Sequence, residues 1–124
     1  MLGHIGINVP DLDAARRYYS ALMPLVGFES FLDAADEFAY RPMAGKPGTY
    51  LFFYPAAEQS TYSRHQAGLQ HLAFMVRTRS AVSAVHGAAA DLAAQFAAAC
   101  CTSHRCSLNI RSRTSRRSGS TRGA

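Results

Sequence analysis

His4 and His71 are the side chains whose types and spacing point most directly to chemistry. An imidazole can carry a proton near neutral pH, and it is also a common transition-metal ligand. Each histidine is third in a short apolar stretch: Leu2-Gly3-His4-Ile5-Gly6-Ile7-Asn8-Val9 and Leu69-Gln70-His71-Leu72-Ala73-Phe74-Met75-Val76. The two stretches overlay at an offset of 67, with Leu, His and Val coincident. A lone histidine on a half-buried strand is more often a packed core residue than a ligand. Two at matching places in a repeat are harder to assign to packing. A second cluster, Cys100, Cys101, His104 and Cys106, gathers soft donors. Its spacing fits no zinc motif or disulfide framework, and it reads as an accidental grouping.

The elements that must position the histidines can be read from periodicity. Leu2 to Val9 alternates as a strand, with Ile5, Ile7 and Val9 on one face and His4, Gly6 and Asn8 on the other. Pro10-Asp11-Leu12-Asp13 opens a helix, with Asp11 or Asp13 as its N-cap. Tyr18, Leu22 and Leu25 recur at helical spacing, and Gly27 stops the run. Three segments of strand character follow, Phe28 to Leu32, Glu37 to Arg41 and Tyr50 to Tyr54. The turn-forming tract 42–48 separates the last two. After a polar loop, the second histidine stretch reads as a strand. It leads into a helix from Ser80 to about Phe96, with Val82, Val85, Ala89 and Leu92 on one stripe. A strand, a capped helix and a histidine in the same phase thus occur twice, and such repetition defines an architecture.

Charge and cysteine divide the chain unevenly. From Met1 to Asp91, seven Lys/Arg stand against eight Asp/Glu, a net of −1. From Leu92 onward there are six Arg and no acid, and all three cysteines lie there as well. The net charge of +5 therefore belongs to the tail. Six Arg without interleaved aromatics rank nucleic-acid binding last among the readings. No apolar run is long enough to span a membrane. The first residues lack a basic-then-apolar signal pattern, so the expected compartment is the cytoplasm.

The segments Gly3 to Leu12 and Gly68 to Val76 resemble the two module starts of the vicinal-oxygen-chelate superfamily, which holds glyoxalases, bleomycin-resistance proteins and ring-cleaving dioxygenases. The resemblance covers about three quarters of the chain. It implies an α+β fold of tandem βαβββ modules, the second incomplete. The divisions would be 1–56 for the first module, 57–68 for a linking loop, 69–97 for the second module's strand and helix, and 98–124 for a disordered tail. It further implies a cavity in which His4 and His71 hold a divalent metal (Fe, Zn, Ni or Mn) with a coordination position open to a substrate's adjacent oxygens. Tyr50, Phe52 and Tyr54 would contact a small-molecule substrate there; Arg41, Tyr50 and Tyr54 could bind an anionic or aromatic one, and exposed strand positions explain these three as well. A homodimer is implied on the same ground.

Two departures from the family pattern bear on activity. Phe52 stands where a glyoxalase-like lyase places a carboxylate on the fourth strand. The closing carboxylate of the second module, just after an Asp-Pro-x-Gly turn, has no counterpart after Leu92. Two imidazoles alone hold a divalent ion weakly. Three readings follow: a metal-dependent lyase, isomerase or extradiol-type dioxygenase; a metal-free binding module of the bleomycin-resistance type; or an inactive fragment. Acids vanish, cysteines appear and Arg/Ser text takes over where three strands are due, a shift that reads as out-of-frame translation beginning between Leu92 and Cys100. Such a segment buries too little apolar surface to offset chain entropy.

Overall fold

The computed structural model describes residues 2–60, 65–99 and 109–112. Strand β1 (His4–Val9) leads into helix α1 (Leu12–Leu22), followed by β2 (Phe28–Asp33), β3 (Phe38–Pro42) and β4 (Tyr50–Pro55). Then come β5 (Ala73–Val76), α2 (Arg79–Ala99) and β6 (Asn109–Ser112). The first four strands form one sheet in the order β1-β4-β3-β2. Pairing is parallel between β1 and β4 and antiparallel elsewhere in that sheet. This mixed α+β arrangement has the βαβββ order expected of the first module.

Local chemistry accounts for the helix boundaries. Asp11 caps α1 by accepting from the Ala14 amide at 2.8 Å. Asp13 in the first turn complements the positive end of the helix dipole. The α-helix stops at Leu22 rather than running to Leu25. Pro24 has no amide hydrogen to continue the ladder, and residues Met23–Val26 tighten into a 3-10 turn. Gly27, at a φ of 86°, closes that turn by donating to the carbonyls of Met23 and Pro24. Leu25, expected on the helix's apolar stripe, is consequently exposed.

Alternation sorts the sheet into two faces. Leu51, Phe53, Phe38 and Tyr40 point to the α1 side and are buried. Phe53 is fully buried, stacked on Phe38 with centroids 4.7 Å apart and in contact with Tyr19 of α1 at 4.3 Å. Phe74 and Val76 of β5 and Val85 of α2 join the same cluster. One core therefore spans both halves.

The 67-residue repeat is visible in burial. Ile5 and Leu72 are half-buried, Val9 and Val76 are buried, and His4 and His71 are both exposed. Pairing repeats too, since β5 lies parallel to β6 as β1 lies parallel to β4. One expectation is corrected here. The second strand starts at Ala73, not Leu69, so His71 precedes it. Within 98–124, residues 109–112 form a strand paired with β5. The rest of that segment from residue 100, with Cys100, Cys101, His104 and Cys106, lies outside the described residues.

A bulge in β2 couples the sheet to α1. Ser30 pairs with Tyr40 and Leu32 with Ala39, leaving Phe31 without a register partner. Beyond the bulge the side-chain phase flips, which turns Asp33 toward the helix side. There it forms an ion pair with Arg16, whose guanidinium also donates to the Ala34 carbonyl at 2.6 Å and lies over the Phe38 ring.

Candidate functional site

The face of the first sheet turned away from α1 carries His4, Tyr50, Phe52 and Tyr54 of the residues singled out by sequence. His4, Gly6 and Asn8 of β1 stand in register with Tyr50, Phe52 and Tyr54 of β4. The parallel ladder places both triplets on one face, where none is fully buried. The His4 ring meets Phe52 edge to face with centroids 5.5 Å apart. Phe52 and Tyr54 run nearly parallel, 10° between their planes and 6.3 Å between centroids. Gly6 lies beneath Tyr54, and a Cβ there would be 3.3 Å from the ring edge. Glycine thus leaves room for Tyr54 to settle over β1.

Two residues of this face escaped the sequence reading. Phe31, at the bulge and 47% exposed, reaches Tyr50 at 5.0 Å and Phe52 at 6.3 Å. Arg41 of β3 lies over Phe31, its guanidinium carbon 5.6 Å from the ring centroid. Glu29 is the other omission. It accepts from Arg41 Nε at 2.8 Å and from the Ala44 amide at 3.4 Å. The Arg41 hydrogen bond, helped by that amide, holds the Glu29 carboxyl below its ordinary range. Ala44 itself adopts a left-handed φ of 59°, and the Glu29 contact ties this turn to β2. An exposed Phe on a strand of otherwise polar outward residues was the only sequence signal for Phe31. Nothing local marked Glu29.

The donor set around His4 does not match a resident metal. Its ring neighbour is a phenyl group, and Phe52 occupies the place where the resemblance implies a carboxylate. His71 is exposed ahead of β5, with Nδ1 hydrogen-bonded to Gln70 Oε1 at 2.9 Å. Among the described residues no three His, Cys, Asp or Glu side chains group closely enough to hold an ion. The structure therefore brings together His4, Tyr50, Phe52 and Tyr54, and supplies no closing ligand within that set.

A second hollow opens on the helix side, lined by Arg16, Ser20, Leu32, Asp33 and Tyr40 among others. Arg16 is already engaged there, and burial pushes the Tyr40 phenol up. That hollow reads as packing between α1 and the sheet.

No family model matches the chain, and no curated protein matches it. Solved structures do. A "putative glyoxalase" from Bacillus halodurans is 26% identical, with 77% of this chain and 69% of that one covered at a TM-score of 0.64. A glyoxalase/bleomycin resistance protein from Albidiferax ferrireducens T118 is 19% identical over 73% of this chain and 71% of its own, with a TM-score of 0.58. A glyoxylase/bleomycin resistance protein/dioxygenase domain from Frankia sp. EAN1pec is 17% identical over 75% and 73%, with a TM-score of 0.53. The fold is that of the vicinal-oxygen-chelate superfamily. No helix among the described residues is long and apolar enough to cross a membrane.

Proposed function

We propose that this chain is a small-ligand-binding module of the bleomycin-resistance type, which holds a planar ligand on the aromatic face of its first sheet without a metal. The observation that carries this reading is the set of rings gathered around His4. His4, Tyr50, Phe52 and Tyr54 share one face, Phe31 is added by the bulge, and Phe52 packs against the imidazole. Such a surface offers stacking area at low entropic cost, since aromatic side chains have few torsions to freeze. The chain has six Tyr and no Trp, and Tyr50 and Tyr54 are the two placed on this face, so a part of the tyrosine emission reports on it. Planar aromatic compounds should raise the melting temperature and quench that emission in the presence of EDTA. Phe52→Leu with Tyr54→Leu should remove both effects while the protein stays folded. A panel that binds only when metal is added would defeat the proposal.

A second reading keeps the metal. Its support is the equivalence of His4 and His71, exposed at matching points of a repeat whose burial also matches. In that reading the two histidines ligate Fe, Zn, Ni or Mn for a lyase or dioxygenase acting on adjacent oxygens. Metal analysis of purified protein, with and without His71→Ala, discriminates, because bound metal lost on substitution favours this reading over the first. The module boundaries at 56, 68 and 97, cytoplasmic residence and a homodimer belong to the same proposal, and sedimentation tests the last.

A further inference from the structure

We infer that the ligands of this face are planar aromatic carboxylates, with the ring over Phe52 and Tyr54 and the carboxylate on the Nη groups of Arg41. The inference rests on the proposed binding role of the face and names its ligand class.

Arg41 is the cation that borders the aromatic surface. In β3, Ala39 pairs with Phe52, and Arg41 lies two residues along on the same face. It therefore stands diagonally from Phe52 across the ladder, within reach of a ligand seated there. Its guanidinium plane is held at two points. Nε is committed to Glu29 Oε1 at 2.8 Å, and Phe31 lies beneath. Neither Nη group has a hydrogen-bond partner among the described residues, and the side chain is 43% exposed. The guanidinium fork is thus oriented at one edge and open at the other, the geometry that suits a carboxylate.

Glu29 shapes the selectivity. It neutralises the net charge of Arg41, so the site presents directed N–H donors rather than a bare positive field. Both Glu29 oxygens are already engaged, one by Arg41 and one by the Ala44 amide. A free anion without a ring gains little from such a pair. A neutral ring without an acceptor leaves the Nη groups to water. A molecule with both features uses the aromatic surface and the fork together.

The test is calorimetric titration of the full chain with 2-naphthoate, its neutral isostere 2-naphthamide, and acetate. Naphthoate should bind about tenfold more tightly than naphthamide, with acetate undetected. Arg41→Gln should erase the tenfold preference, bringing naphthoate down to the affinity of naphthamide, a result that a merely structural role for Arg41 does not produce. Arg41→Lys, which keeps charge without the fork, should restore only part of the preference. If naphthoate and naphthamide bind equally to the native chain, this inference fails while the aromatic binding face stands. If neither binds, the face is not a ligand site, and both fall. Self-association that buries the face, seen as concentration-dependent sedimentation with naphthoate excluded, also overturns the inference.

Discussion

The imidazole of His4 packs edge to face on the phenyl ring of Phe52, with centroids 5.5 Å apart. Where the fold's metal-dependent members are expected to offer an oxygen donor to the histidine's ion, this chain offers a hydrocarbon edge. That contact makes the imidazole part of an aromatic surface shared with Phe52 and Tyr54.

Phe52→Glu should restore a donor beside His4. Zinc or nickel affinity should rise about tenfold, or about 1.4 kcal/mol, over the native chain. Adding His4→Ala should cancel the gain. Titration calorimetry reads both, and an unchanged affinity in the single variant would show that the two side chains cannot share an ion.

Gly6→Ala probes the seat of Tyr54. The new Cβ comes within 3.3 Å of a ring that is only half-buried and free to shift outward. Alanine also restricts the unfolded chain, so folding stability should change by no more than about 1 kcal/mol. Ligand-induced quenching of tyrosine emission should weaken nonetheless. A large loss of stability with quenching intact would place Tyr54 in the framework instead of the binding face.

Phe53→Ala tests the shared core. Phe53 is fully buried between Tyr19 and Phe38, so truncation should cost about 3–5 kcal/mol, read by denaturant unfolding. A loss below about 1 kcal/mol would contradict the packing described.

The Glu29–Arg41 pair gives a pH signature. The folded-state pKa of Glu29 is lowered, chiefly by the Arg41 hydrogen bond, so its stabilising contribution is present above the ordinary carboxylate range. That contribution is lost as pH falls through the depressed folded value. The melting-temperature difference between the native chain and Glu29→Gln should therefore be present at neutral pH and disappear in acid. A difference that grows as pH falls would reverse the assigned sign.

Much of this was legible from local pattern. Alternation in Leu2 to Val9 separated a buried face from an open one, because successive side chains on any strand point opposite ways. The offset of 67 between the histidine stretches foretold matching burial, and Asp11 announced the start of α1. The resemblance implied a carboxylate where Phe52 stands, and the structure adds the contact of that ring with His4.

The remainder depended on which strand lies beside which. Phe31 joins the aromatic face, and Asp33 meets Arg16, only because a bulge changes phase in mid-strand. Glu29 finds Arg41 across a ladder twelve residues away in sequence. Strand β6 exists through its pairing with β5, and His71 lies ahead of that strand instead of within it. Periodicity is a property of each segment's own backbone and can be read one stretch at a time. Register is a choice among partners distant in sequence, decided by how the strands pack together and not by any one segment alone.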